Sequence, residues 1–312
     1  MQHISSFRHP RVSVCVPVYD GEAFVREALD SILAQTFHDY EVIISDNAST
    51  DATPEICMEY AARDPRIRYS RNETNIGANP NFNRLVGMAQ APYFKLANAD
   101  DLCHPDLLAR CVSVLDQRSD VVLSYGRTRL IDAAGASLGD YDDRLDLPWP
   151  SAPARFRAAI ERMALVNVLQ GVIRTDVLRK TALLASHPGA DIVLVAELAL
   201  HGKFNATSEQ LFFRRMHGSA ASSLKEWNER QAFVDPAVGS RYAALWKSRM
   251  HLGYLSTLLR APLTLHDRLT LIWWVSRSAI RSRDDIGREL LQLARSSLRR
   301  AISPEQRGLS SR

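Results

Sequence analysis

Lys95-Leu96-Ala97-Asn98-Ala99-Asp100-Asp101 carries a short apolar run, with Tyr93, Phe94 and Leu96, into an amide and two carboxylates. Such a run suits a buried strand, and open α/β sheets present their ligands at the carboxyl ends of their strands. Two acids at that point read as a metal and phosphate site. They read also as residues that turn the chain and help start a helix after Pro105, because Asp is common at turns and caps. Both readings stand until the order of elements around the stretch is considered.

Upstream, Val12–Val18 (VSVCVPV) is a β-branched run, followed by a turn at Asp20-Gly21. Residues 22–35 then place Phe24, Val25, Leu29, Ile32 and Leu33 at helical spacing. Residues 41–45 repeat the strand pattern and end in Asp46-Asn47. Thr53-Pro54 supplies an N-cap and a first-turn proline for a helix to about residue 62. A third strand over 67–70 and a helix over 82–89 lead to the opening stretch, and downstream a helix over 105–117 precedes a fifth strand over 121–125. Strands and helices alternating in this way predict a doubly wound α/β fold with a mostly parallel sheet and right-handed crossovers. A dinucleotide-binding version is disfavoured, because the first strand runs into Pro17-Val18-Tyr19-Asp20-Gly21 and no GxGxxG follows.

Composition sets the outer bounds. In 312 residues, 46% apolar and 24% charged content is ordinary for a globular chain able to bury a core. Cys15, Cys57, Cys103 and Cys111 form no CxxC pair, which suits a reduced, cytoplasmic chain. The polar first ten residues lack the apolar core of a signal peptide. No apolar run reaches the roughly 18 to 20 residues of a membrane span; the nearest, 269–275, contains Trp273 and Trp274.

The net charge of +4 hides an asymmetry: from Lys247 onward there are 13 Lys and Arg against 5 Asp and Glu, whereas residues 1–246 hold 26 against 30. The chain thus divides into an α/β domain, 1–223, and a basic helical region, 224–312, with helices expected over 238–259, 265–280 and 286–302. Basic charge beside Trp273 and Trp274 suits peripheral contact with an anionic membrane. Nucleic acid is not an expected partner, since no recognition motif accompanies the charge.

Taken together, Val14-Cys15-Val16-Pro17-Val18-Tyr19-Asp20-Gly21, then Ser45-Asp46-Asn47-Ala48-Ser49-Thr50-Asp51, Asn75-Ile76-Gly77 and Asn98-Ala99-Asp100-Asp101 resemble glycosyltransferase family two, of the bacterial surface-glycan type. The resemblance covers roughly the first 220 residues. It implies a GT-A fold, a nucleotide-sugar donor (a UDP- or dTDP-sugar), and inverting transfer to a hydroxyl of a glycan or lipid-linked acceptor at the inner face of the cell membrane. It also implies a divalent metal, Mg²⁺ or Mn²⁺, whose hard-oxygen coordination neutralises the departing diphosphate.

By the same resemblance Pro17, Val18, Tyr19 and Glu22 line the base or ribose, Asp46 reads the nucleobase, and Arg71 and Asn75 are further nucleotide contacts. The family's Asp-x-Asp turn has Asn98 in its first position, toward ribose; the metal ligand is then Asp100, with Asp101 supporting the turn. An inverting transfer needs one base to take the acceptor proton. Residues 189–204 resemble the helix that opens with it, which points to Asp191, with Ala190 where the family often has Glu. A helix N-terminus lowers a carboxylate's pKa, so a working base there calls for desolvation by substrate.

The stretch 209–222 resembles the family's Arg-x-x-His segment closing over the diphosphate, with His217 as a phosphate or metal contact and Arg214 and Arg215 adding charge-assisted bonds. Between these blocks, Asp142 and Asp143 read as sugar contacts or solvated charges, and residues 166–173, with Asn167, Gln170 and Gly171, as a wall on the acceptor side. Two other readings remain. One is a non-catalytic nucleotide-sugar-binding or membrane scaffold protein, motivated by Asn98 and Ala190; the other is a nucleotidyltransferase, which lacks a basic Gly-rich loop near the first strand.

Overall fold

In the computed structural model, which describes residues 9–218, 220, 223–224, 226–238, 245–284, 286–287, 289 and 291, the β-branched run forms β1 (Val12–Val18). Its four valines alternate with Ser13, Cys15 and Pro17, and all but Pro17 are buried, as a strand covered on both sides requires. It is followed by α1 (Val25–Leu33), β2 (Tyr40–Asp46), α2 (Thr53–Arg63), β3 (Ile67–Arg71), α3 (Ala78–Met88) and β4 (Tyr93–Leu96). The short β5 (Leu102–Cys103) and α4 (Leu107–Gln117) precede the long β6 (Val121–Ile131), which turns back as β7 (Ser137–Tyr141). Next come α5 (Ala152–Arg162), a 3-10 turn at Asn167–Gln170, β8 (Val172–Arg174), α6 (Thr175–Leu178), α7 (Ala190–His201) and β9 (Lys203–Arg215). The tail contributes α8 (Trp227–Val234), α9 (Trp246–Arg260) and α10 (Leu265–Arg281).

The strands form one sheet in the order β3-β2-β1-β4-β8-β6-β9-β5, with β7 added to β6. Neighbours from β3 to β4 are parallel; β8 runs antiparallel between β4 and β6, and β6 and β9 are parallel to each other. The carboxyl ends of β1, β2, β4, β6 and β9 therefore share one edge. This is the expected doubly wound, mostly parallel sheet, with β5, β7 and β8 running against it.

Local boundaries differ for physical reasons. Thr53 is the first residue of α2 rather than its cap: Asp51 accepts from the Thr53 amide at 3.0 Å, and the Thr53 hydroxyl accepts from the Gly21 amide at 2.8 Å. Strand β6 runs to Ile131, six residues beyond the apolar signal, because β7 and β9 pair with its polar half. All four cysteines are free and buried.

The tail helices dock on the sheet domain through a shared core in which Phe156 of α5 and Val193, Ala196 and Leu200 of α7 meet Tyr254, Leu258, Leu271 and Val275. Two glycines mark close approaches. Gly77, at φ 89°, has room for no Cβ, which would lie 2.6 Å from the Val234 carbonyl. Gly189, at φ 82°, would press a Cβ to 2.8 Å from Met250 Sδ. Of the expected helix 238–259, residues 239–244 lie outside the described residues, as does most of 286–302. Among the described residues no helix is long and apolar enough to cross a membrane.

Candidate active site

Because β4 and β9 point to the same edge, the Asn98–Asp101 turn meets the segment leaving β9. His217 Nε2 lies 3.1 Å from Asp100 Oδ2. The Arg215 amide donates to Asp101 Oδ1 at 2.8 Å, and Asn98 Nδ2 to Asp101 Oδ2 at 3.0 Å. Asp101 is buried, and burial together with the charge of Asp100 pushes its carboxyl up to about 7, against the pull of those two donors. The two acids are thus not interchangeable: Asp101 holds the turn from inside, while Asp100 keeps a partly exposed carboxylate.

Arg215 is neither a surface charge nor free to reach a ligand. Its side chain is fully buried and donates to the carbonyls of Asp100 (2.9 Å) and Ala133 (2.8 Å) and to Glu27 (2.7 Å). Phe24 packs its ring 4.7 Å from the Arg215 guanidinium and 4.7 Å from the His217 ring. The sequence reading missed Phe24 and Glu27 as site residues, since both fit an ordinary amphipathic helix. Phe24 instead sits at the cap of α1, outside its regular turns.

The loops after β1 and β2 are stapled together. Asp20 and Gly21 amides donate to the Ser49 and Thr53 hydroxyls, the Glu22 amide to Asp51, and the Ala52 amide to the Glu22 carboxylate at 2.9 Å. Tyr19 stands exposed beside them, with Val18 buried and Pro17 partly so. Asp46 and Arg71 come together as an ion pair at 2.6 Å. Asp46 is fully buried; burial raises its pKa, but donors from Tyr69, Ser49 and Arg71 outweigh that and hold the carboxyl below its ordinary range. The surface member of the pair is Arg71. Asn75 is exposed, its oxygen accepting from Asn47 Nδ2 at 2.8 Å.

Asp191 opens α7 after the left-handed Gly189. Burial pushes its carboxyl up despite the donated Ile192 amide and the Arg214 charge. The side chain is nevertheless partly exposed, so the protein supplies only part of the desolvation. Tyr254 of α9 is close enough for the Asp191 charge, after burial, to raise its hydroxyl. Arg214 Nη1 donates to Asn167 Oδ1 at 2.6 Å, which ties the 3-10 turn at Asn167–Gln170 to β9.

Asp142 is exposed, but Asp143 is buried rather than solvated and accepts from the Thr128 hydroxyl at 2.8 Å. Burial pushes its carboxyl up to about 6. Because this lies above the unfolded value near 4, the protonated form stabilises the fold below about pH 4, and that contribution is lost as pH rises through about 6. Asp143→Asn should therefore gain about 2 kcal/mol relative to wild type between pH 4 and pH 7 in chemical denaturation. Parallel pH profiles would refute this account of Asp143.

As to a metal, no group of three or more His, Cys, Asp or Glu side chains suited to one occurs among the described residues. Asp100 and His217 nevertheless fit a Mg²⁺ or Mn²⁺ ion of the kind held by few protein ligands and completed by substrate phosphates and water.

Residues 13–133 match the family model for glycosyl transferase family 2. An uncharacterized protein of Mycobacterium tuberculosis is 40% identical over 126 residues, covering 39% of this chain and 36% of that one. An uncharacterized glycosyltransferase of Haemophilus influenzae is 26% identical over 221 residues, 69% of this chain and 68% of that one. The chain thus aligns with about a third of the length of the first relative. Among solved structures, S. aureus TarS 1-349 in complex with UDP superposes with a TM-score of 0.61 at 16% identity, covering 87% of this chain and 72% of that one. The same protein in complex with UDP-GlcNAc gives 0.61 at 15% identity, covering 91% and 80%. A mannosyltransferase from Pyrobaculum calidifontis, in complex with GDP-Man and Mn2+, gives 0.50 at 17% identity, covering 94% and 88%. Residues 13–133 thus resemble glycosyl transferase family 2, and the strand order and superposition show that the chain has the GT-A fold.

Proposed function

We propose that the protein is an inverting glycosyltransferase that moves a sugar from a nucleotide donor, a UDP- or dTDP-sugar, to a hydroxyl of a surface-glycan or lipid-linked acceptor. The observation that carries this reading is the convergence of Asp100 and His217, 3.1 Å apart, at the edge where the loops after β1 and β2 also end. Relatives named as glycosyltransferases and structural neighbours solved with UDP, UDP-GlcNAc and GDP-Man support it.

In this reading Asp191 takes the proton of the acceptor hydroxyl as its oxygen attacks the anomeric carbon. The bond from that carbon to the diphosphate oxygen breaks on the opposite face, inverting the centre. Asp100 and His217 would hold a divalent ion whose positive charge favours diphosphate departure. Asn98 is proposed to bind ribose, with Pro17, Val18, Tyr19, Glu22, Arg71 and Asn75 around the nucleotide. Asp46 acts there through Arg71 and Tyr69, while Asp101 and Arg215 hold the turn and Arg214 the acceptor side. The working unit is residues 1–223 with the basic helices of 224–312 docked on it, at the inner face of the cell membrane.

Incubation with UDP-, GDP- and dTDP-sugars and lipid-linked acceptors should release nucleotide and form product from one donor. In calorimetry Asp100→Ala should weaken Mn²⁺-stimulated nucleotide binding about tenfold or more. Tight metal-stimulated binding without transfer or donor hydrolysis would favour the non-catalytic reading. Unchanged binding in Asp100→Ala would remove its metal role.

A further inference from the structure

Two grooves lie away from the acid turn, between α5 and α10. One, of about 470 Å³, is lined by Trp273, Trp274, Arg277 and Arg281 with Glu161. The other, of about 340 Å³, shares Trp274 and Glu161 and adds Trp149, Arg157 and Arg162. Four arginines therefore face one acid. Two of them stack on rings, Arg162 at 4.8 Å over Trp149 and Arg277 at 5.3 Å over Trp273, so the aromatic surface carries the cations rather than burying them.

Beside the grooves, α10 turns Leu265, Leu269, Trp273 and Ile280 outward, between 57% and 69% exposed, while Leu271 and Val275 enter the core. Spacings of four, four and seven residues put the outward four on one stripe. A stripe of large apolar side chains next to arginines and tryptophans is costly to leave in water and matches a helix lying in a bilayer interface. Charge decides the occupant: with 13 basic against 5 acidic residues from Lys247 onward, the region complements an anionic surface.

We infer that the α5–α10 face docks on an anionic lipid bilayer, with Leu265, Leu269, Trp273 and Ile280 entering the headgroup boundary and Arg157, Arg162, Arg277 and Arg281 taking lipid phosphates. This locates the membrane contact of the proposed function and rests on that reading only for its purpose, presenting the enzyme to a lipid-linked acceptor.

The test is flotation of the full chain with vesicles of phosphatidylglycerol and phosphatidylcholine, or of phosphatidylcholine alone, at low and high salt. Binding should favour the anionic vesicles at least tenfold and weaken with salt. Leu269→Asp/Trp273→Asp and Arg277→Glu/Arg281→Glu should each lose at least tenfold while unfolding at the wild-type temperature. Should either pair unfold, the single Leu269→Asp or Arg281→Glu serves, with a loss of at least threefold. Absence of wild-type binding, or variants that float as wild type does, would overturn the proposal. So would light scattering that finds a dimer which Leu269→Asp/Trp273→Asp dissociates without loss of flotation. Flotation needs no donor, so its failure leaves transfer to a water-soluble acceptor untouched, and failed transfer leaves flotation untouched.

Discussion

Asp191→Asn is expected to slow sugar transfer about 10²- to 10⁴-fold while nucleotide affinity stays within about twofold. The amide keeps the size of the side chain and can still accept from the Ile192 amide, 3.0 Å away, so the start of α7 should hold its place. What it loses is the capacity to take a proton. In the proposed function, donor orientation and stabilisation of the departing diphosphate fall to groups at the ends of β1, β2, β4 and β9, the strands whose carboxyl ends share one edge, rather than to this carboxylate. A second readout separates a base from a merely structural acid. Burial pushes the Asp191 carboxyl above its ordinary range, so the acid limb of the wild-type rate profile should fall above the usual carboxylate pKa and vanish in the variant. Transfer at the wild-type rate, or a variant that retains the acid limb, would remove Asp191 from the role of base.

The parts of this architecture that sequence made legible are those set by local pattern. An apolar run such as Val12–Val18 can only be satisfied by cover on both faces, and it forms a strand inside the sheet. The polar punctuation at Asp20-Gly21, Asp46-Asn47 and Asn98–Asp101 marks strand ends because those residues tolerate turns, and Asp20 does take a left-handed φ of 47°. Pairings across long stretches of chain were a different matter. His217 and Asp100 are 117 residues apart, and only family resemblance brought them together; Arg215 and Glu27 are 188 apart, and nothing in either neighbourhood announces the other. The apolar signal of β6 ends early because Arg127, Thr128 and Arg129 break the run, although β7 and β9 satisfy their backbone. Asp143 looked like one more acid in a charged loop, and its burial follows from Thr128 on the neighbouring strand. The tail showed amphipathic helices without showing which surface they cover.

That surface supplies the second large effect. Glu197 lies on α7, is 1% exposed, and accepts from the Ala182 amide at 3.0 Å and from Arg260 at 3.1 Å. Arg260 belongs to α9 and is 39% exposed, so it can leave for water at little cost, whereas Glu197 cannot. Removing the arginine therefore strands a buried carboxylate, and the penalty for breaking such a pair is far larger than the net worth of forming it. Arg260→Met should cost about 3 kcal/mol in chemical denaturation, and adding Glu197→Gln should recover about half, because a neutral amide still accepts from Ala182 and leaves no charge unpaired. The coupling has a functional reading as well, since α7 is the helix whose first turn carries Asp191, and α9 meets it at two places, Met250 beside Gly189 before the first turn and Arg260 at Glu197 in its second half. If Arg260→Met leaves stability within about 0.5 kcal/mol of wild type, a value ordinary for a surface change, the α9 helix is an ornament on the sheet domain. If the single variant falls and the double variant rises, the basic tail is part of the scaffold that sets the position of the proposed base.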